Sequence, residues 1–332
     1  MKVISLFAGC GGLDLGFIKA GFDVVWANDW DKEACQSYKL NIGDHIVHDS
    51  IYNIDPNDIP YGDILVGGFP CLGFTVAMGK NRDLNSKYNE LFQEYARILD
   101  TKQPKYFVVE NVAGIKSGKE FNDFFHNVIL KTFEKSGIGY KVKYKTLMSS
   151  SFGVPQNRKR VIIFGTRLDI IEEPVFPSVA VEDLVTLKHA IYDLPLEYDD
   201  SVLNHTGTKH KVKINNYVGN RQLDWDKPSP TITGRGSRSG GAVIHPHPNR
   251  HRRLTVRECA RIQSFPDDFE FVGSNGACFA QIGNAVPPIM AFFIASQFRA
   301  LFNKEKIEFS KVKWSLPYEK EINKRLISRL FD

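Results

Sequence analysis

The sequence is sparing with cysteine. Its five cysteines, Cys10, Cys35, Cys71, Cys259 and Cys278, are odd in number, widely spaced and without a Cys-x-x-Cys pair. That pattern argues against a disulfide framework and a zinc site, so no metal is expected, and it fits a reducing compartment. Long apolar runs are also missing. No segment reads as the roughly 20 apolar residues that cross a bilayer, which predicts a protein without a membrane span. The opening stretch MKVISLFAGCGGLDLGF is short, broken by glycines and interrupted by Asp14, so it reads as a strand and turn rather than a signal peptide. Neither sign of charge dominates: 43 Lys and Arg against 38 Asp and Glu leave +5, compatible with a polyanionic partner without demanding one. No internal repeat is visible.

What is present is a chain of 332 residues, 42% hydrophobic, enough to bury one large core or two moderate ones. At 24% charged it lies outside the disordered class. Up to about residue 167, apolar strands alternate with helical patterns. Strands are predicted over 2–7, 23–27, 106–109 and 161–164, with another ending at 64–66. Helices are predicted over 13–20, 32–40, 91–99 and 121–133. Such alternation predicts an α/β fold around a mostly parallel sheet. Residues 168–250 are rich in Pro, Gly, Asn, Asp and His and read as a second, irregular unit with short strands and long loops. Helices return at 255–264 and 288–302. The charged tail 304–332 receives no role.

The chemistry-bearing residues fall at predicted strand ends. Phe7-Ala8-Gly9-Cys10-Gly11-Gly12 links the first strand to the first helix, where a doubly wound sheet binds nucleotide-like ligands. It lacks the Gly-x-Gly-x-x-Gly spacing, which argues against a dinucleotide pyrophosphate. Asp29, about twenty residues on, suits ribose hydroxyls; Trp30 offers a flat face and Asp49 an acceptor for an adenine. Singly, the glycines could be a tight turn and Trp30 a core residue; together they point to an adenosyl cofactor. Gly67-Gly68-Phe69-Pro70-Cys71 places a thiol on a constrained turn, with Lys80 and Arg82 following to favour the thiolate. A buried small hydrophobe is the bland alternative. Glu110-Asn111-Val112 ends another strand, and Gln156-Asn157-Arg158-Lys159-Arg160 supplies cations before the next.

These motifs, in this order, resemble the bacterial DNA (cytosine-5) methyltransferases of restriction-modification systems over nearly the whole chain. The likeness continues in Arg253-Leu254-Thr255-Val256-Arg257-Glu258-Cys259-Ala260-Arg261 and Gln281-Ile282-Gly283-Asn284-Ala285-Val286-Pro287-Pro288. The resemblance implies a Rossmann-like S-adenosylmethionine-dependent fold with a smaller target-recognition domain. The boundaries it suggests are 1–167 plus about 282–303 for catalysis and cofactor, and about 168–281 for reading DNA.

By resemblance, Cys71 is the thiolate that adds to C6 of cytosine, Glu110 holds N3 and the exocyclic amine, and Arg160 holds O2. Arg158 would support the site or a phosphate. Phe7 through Gly12, Asp29, Trp30, Asp49, Ser50, Pro70, Asn284, Ala285 and Val286 would form the pocket for S-adenosyl-L-methionine, with S-adenosyl-L-homocysteine as product. The C-terminal helix would return to pack on the N-terminal sheet.

DNA contacts are expected from Thr75, Lys80, Arg82, Thr231, Arg235 and Arg238, with the loop 75–86 as a lid over a flipped base. Of Arg235, Arg238, Arg250, Arg252 and Arg253, about half would hold phosphates. Arg257 and Arg261 would pair internally with Glu258 and join the domains. One departure stands out: Leu72 occupies the place where the family usually has Gln, and Thr75 stands where Ser is frequent. The implied partner is double-stranded DNA, with a cognate restriction endonuclease acting separately; the implied state is a cytoplasmic monomer. The rivals are an RNA cytosine-C5 methyltransferase, whose Cys-Phe-Thr signature is missing, and a non-catalytic DNA-binding relative.

Overall fold

The computed structural model describes residues 1–70, 90–215, 219–234, 244–303 and 308–327. Along the chain the elements are β1 (Lys2–Leu6), α1 (Gly12–Lys19), β2 (Asp23–Asp29), α2 (Lys32–Asn41), β3 (Ile46–His48), β4 (Ile64–Gly67), α3 (Leu91–Lys102) and β5 (Tyr106–Val112). Then come α4 (Lys119–Phe124), a π-helical turn (Phe125–Ile129), α5 (Leu130–Glu134), β6 (Tyr140–Met148), β7 (Gln156–Asn157) and β8 (Lys159–Arg167). The remainder holds α6 (Leu187–Ile191), β9 (Ser229–Pro230), α7 (Val256–Ile262), α8 (Asn275–Asn284), α9 (Pro288–Asn303) and α10 (Glu319–Arg325).

Seven strands form one sheet in the order β3-β2-β1-β4-β5-β8-β6. The pairs from β3 to β5 are parallel, and β8 runs antiparallel to both β5 and β6. The fold is therefore α/β with a mostly parallel sheet, as the alternation of apolar strands and helices predicts. Alternation within each strand explains why both faces are covered. Val3, Ile64, Val66, Val108, Ile162 and Phe164 pack into one apolar core; their neighbours Ile4, Leu65, Phe107, Val109, Val161 and Ile163 pack into another. Two strands of this sheet escape the sequence reading, as does the two-stranded β7-β9 sheet. β3 is only three residues long, and β6 is the far edge, where Lys141, Lys143 and Lys145 alternate with Tyr140, Val142 and Tyr144. Lysines along a sheet edge oppose pairing with another chain.

The C-terminal helix does return. Helix α9 lies so close to α1 that a Cβ at Gly16 would stand 2.6 Å from the backbone nitrogen of Phe292. Substituting leucine at Gly16 is expected to separate the helices and cost about 3 kcal/mol, measured by denaturant unfolding. The stretch Asn275–Phe302 is long and apolar enough to cross a membrane, contrary to the sequence reading, but 78% of its most apolar window is buried inside the fold. It holds α8 and α9, core helices separated by Ala285–Pro287.

The tail also gains a role. Trp314 is fully buried and stacks on Phe309, which stacks on Phe293 of α9. Residues 168–281 share the first core: Ala180, Leu187, Leu223, Ile232, Ile244 and Leu254 belong to the same apolar cluster as β1 and α9.

Buried arginines knit this region together, and they correct the sequence reading. Thr255 and Glu258 form a reciprocal cap at the start of α7. With Glu258 so held, its carboxylate takes Arg252 in two bonds of 2.8 Å rather than Arg257 or Arg261. Arg261 pairs instead with Asp193 and Asp267, at 2.7 Å each. Arg257 donates to the carbonyls of Leu203, Pro266 and Phe269. Arg253 is buried on the carbonyls of Lys211, Gly219 and Ile244 and on Asn220. Neither Arg252 nor Arg253 is therefore left for phosphate.

Candidate active site

Strands β1 and β4 are neighbours, with Leu6 beside Gly67, so the glycine turn and the Gly67–Pro70 loop leave the same end of the sheet. In the turn Phe7, Gly9 and Gly11 have φ of 54°, 57° and 93°, the left-handed region that glycine enters without strain. A Cβ at Gly9 would meet nothing within 4 Å, so the turn faces open space there.

Asp29 braces it: one carboxylate oxygen accepts the Gly9 N–H at 2.7 Å and the other the Asp31 N–H at 2.9 Å. Burial pushes its pKa up to about 6. Each oxygen keeps a lone pair, which suits a diol. The Asp49 N–H donates to the Asp29 carbonyl at 3.1 Å, and Asp49 accepts from Ser50 N–H and Asn53. Trp30, beside them, is 62% exposed and presents a free ring face.

Ala285 and Val286, distant in sequence, lie against the turn, since a Cβ at Gly12 would stand 2.5 Å from the Val286 carbonyl and 3.0 Å from the Ala285 Cβ. An open turn, an exposed indole and two acidic residues fit an adenosyl group. Cys10 fits only through its backbone. Its side chain is buried, its thiol lies 3.7 Å from the Gln281 carbonyl, and burial holds it protonated.

Beside the Gly67–Pro70 loop lies a carboxylate. Glu110, next along β5 from the Val109–Gly67 pair, is 8% exposed. Its Oε1 stands 2.6 Å from Arg160 Nε, and its Oε2 would touch a Cβ at Gly68 at 2.9 Å. Only glycine lets the Gly67–Pro70 loop pass so close. Asn111 donates to the Phe69 carbonyl at 3.3 Å, tying β5 to the residue two before Cys71. Cys71 itself, with Leu72, Thr75, Lys80, Arg82, Arg235 and Arg238, lies outside the described residues.

Arg158 is not at the surface. Only 1% exposed, it donates to the carbonyls of Ile232 at 2.9 Å, Gly283 at 2.9 Å and Ala285 at 3.0 Å. Its guanidinium is spent on support, not phosphate, and it holds Ala285 and Val286 against the turn.

Thr231 bonds the Asn157 carbonyl at 2.8 Å and lines a cavity of about 400 Å³ with Asn157, Arg221, Pro228, Pro230, Thr233 and His245. The sequence reading misses Arg221 and His245, which stand in loops without periodicity. Burial lowers His245 to about 4, so it is neutral. It also misses Asp14, buried under the turn, because an acidic residue in the first turn of a helix reads as an ordinary helix-start signal.

Fold and site together are those of an S-adenosylmethionine-dependent methyltransferase. A model of the C-5 cytosine-specific DNA methylase family matches residues 1–300. The type II methyltransferase M.NgoFVII of Neisseria gonorrhoeae is 37% identical over 97% of this chain and 92% of its own length. M.MthTI of Methanothermobacter thermautotrophicus is likewise 37% identical, over 90% and 97%. Among solved structures, a DNA modification methyltransferase encoded in an E. coli prophage superposes with a TM-score of 0.74 and 26% identity, covering 91% of this chain and 99% of that one. The Schizosaccharomyces pombe Dnmt2 structure, at 22% identity and a TM-score of 0.64, shares the fold. The chain belongs to the C-5 cytosine-specific DNA methylases. It is accordingly an enzyme that uses S-adenosylmethionine and acts on double-stranded DNA.

Proposed function

We propose that the chain methylates C5 of a cytosine swung out of a specific duplex sequence, through a covalent bond between Cys71 and C6. The observation that carries this reading is the Glu110–Arg160 pair, set beside the loop that leads into Cys71 and at the same sheet end as the glycine turn. The bound cofactor supplies an electrophilic methyl group. C5 is too weak a nucleophile to take it unaided, so the Cys71 thiolate adds to C6 and pushes electron density onto C5. Glu110 holds N3 and the exocyclic amine and shares the proton that offsets the charge developing at N3. Arg160 fixes the Glu110 carboxylate and faces O2. Arg158 is a positioning residue, acting through Ile232, Gly283 and Ala285. Loss of the C5 proton to a base then expels the thiolate and leaves S-adenosyl-L-homocysteine beside 5-methylcytosine.

A stacked cytosine is out of reach of a thiol in a pocket, so the base turns out at a cost of a few kcal/mol. Residues 75–86 would close over it, with Thr75, Lys80 and Arg82 on the backbone. Thr231 would contact the backbone near the flipped base, and Arg235 and Arg238 would join it. Residues 1–167 with about 282–303 would be the catalytic unit, and about 168–281 the reading unit. The printed type of the relatives supports a restriction endonuclease acting on the same sites; a cytoplasmic monomer completes the reading.

Sequencing of a plasmid treated with the purified chain and cofactor tests this reading. The expected result is 5-methylcytosine confined to one short motif; unmodified or randomly modified DNA would overturn it. Exchanging residues 168–250 for those of a relative with another site is expected to transfer the motif. Retention of the original motif would place recognition in residues 1–167.

A further inference from the structure

Gln156 and Gln263 are both fully buried, and neither enters the reaction derived above. Gln156 opens β7, and Gln263 follows the last residue of α7. The Gln263 amide nitrogen donates to the carbonyls of Ile282 at 2.9 Å and Ala285 at 2.7 Å. Carbonyls only accept, so both N–H groups are used there and the Gln263 oxygen must face a donor. That donor is the Gln156 amide nitrogen. The Gln156 oxygen must face a donor in turn, and it accepts the Ile232 N–H at 2.9 Å. The two amides therefore form a relay of single polarity, with Ile232 at one end and Ala285 at the other.

Those ends belong to different binding segments. Ile232 sits between Thr231 and Thr233, both of which line the cavity beside Asn157. Ala285 and Val286 lie against Gly12 of the glycine turn. A second tie runs alongside the relay, since Arg158 donates to the carbonyls of Ile232 at 2.9 Å and Ala285 at 3.0 Å. Both backbone groups of Ile232 are thus held, one by each tie. The segments also touch directly, because a Cβ at Gly283 would run into the backbone of Thr233 and Gly234. A relay buried from water has no alternative partners to take up, so displacing one segment displaces the other.

We propose that Gln156 and Gln263 are positioning residues that couple the DNA-backbone segment to the cofactor segment, so that a ligand on one raises affinity for a ligand on the other. The inference rests on the reading above, in which Thr231 meets the DNA backbone and Asn284–Val286 lines the cofactor pocket, and it adds the physical link between them. Cofactor against Ala285 and Val286 fixes the Gln263 end of the relay. The Ile232 end is then already ordered when the duplex arrives, and less freedom remains to be lost. By linkage the same factor applies in the reverse direction.

Anisotropy of a labelled duplex carrying the motif, at one salt concentration, measures DNA affinity of the full chain with and without S-adenosylhomocysteine. Calorimetry measures S-adenosylhomocysteine affinity with and without the duplex. Expected is a gain of about ten-fold in each direction. In Q263M, which keeps comparable bulk without a donor, the gain falls below about two-fold, and Q156M does the same. A merely structural glutamine would lower both affinities or the melting temperature and leave the gain unchanged. An unchanged gain in a folded variant, or none in an unsubstituted chain that binds both ligands, overturns the proposal while leaving the methyltransferase reading intact. Failure of the unsubstituted chain to bind S-adenosylhomocysteine or duplex would overturn that reading itself. Should both variants fail to fold, hydrogen exchange in the unsubstituted chain decides the matter. S-adenosylhomocysteine alone is expected to slow exchange of the Ile232 amide, at the far end of the relay, and an unchanged rate there overturns the proposal.

Discussion

Replacing Cys71 with alanine is expected to lower methyl transfer by about 10⁴-fold or more, while cofactor affinity changes by less than about two-fold. The size of the effect follows from the chemistry of the ring. Without a nucleophile at C6, electron density is not driven onto C5, and no other group in the site substitutes for that bond. Cofactor affinity is spared because the turn is held by Asp29, Asp14 and the Val286 segment. Rapid-quench methylation of a duplex, with cofactor titration by calorimetry, checks both halves. Retained methylation in the alanine variant would remove the covalent step.

Glu110→Gln is the second large effect. The amide keeps the shape of the side chain and removes its charge, so Arg160, 2.6 Å away, loses its ionic partner and N3 its proton-sharing group. The expected fall in kcat is about 10²–10³-fold, with a smaller change in KM for DNA. Because both side chains are about 10% exposed, breaking the pair also lowers stability by a few kcal/mol. Denaturant unfolding therefore accompanies the kinetics. A pH–rate profile separates the two causes: a merely structural glutamate would leave the profile of the folded fraction unchanged.

Much of the fold is legible because both faces of the sheet are covered. The strands must then be apolar at consecutive residues, and Val3 and Ile4, or Val108 and Val109, go to opposite cores whatever the loops do. The glycine turn and Asp29 are legible for a related reason: each lies at a strand end, and the parallel order brings those ends to one edge; Glu110 lies within β5, one residue past its last pair with β4.

What sequence does not disclose is the partner of a polar group. Arg158, Arg252 and Arg253 sit in polar runs that read the same whether they face phosphate or backbone carbonyls. The folded chain buries Arg158 and Arg253 on carbonyls and binds Arg252 to Glu258. The tail is opaque for a tertiary reason, since Trp314 and Phe309 acquire their place by stacking on helix α9. Asp14 is hidden in the same way, because an acid at a helix start is ordinary until Ser5 and Tyr38 close over it.

The covalent step is tested most directly by a duplex in which the target cytosine carries fluorine at C5, incubated with the chain and S-adenosylmethionine. Fluorine cannot leave as a proton does, so the thiolate stays bonded to C6 after methyl transfer. The account predicts a denaturation-resistant protein–DNA adduct in about one-to-one ratio, with peptide mapping placing the bond on Cys71. A chain that methylates the unfluorinated duplex yet forms no adduct, or forms it through another residue, would contradict it.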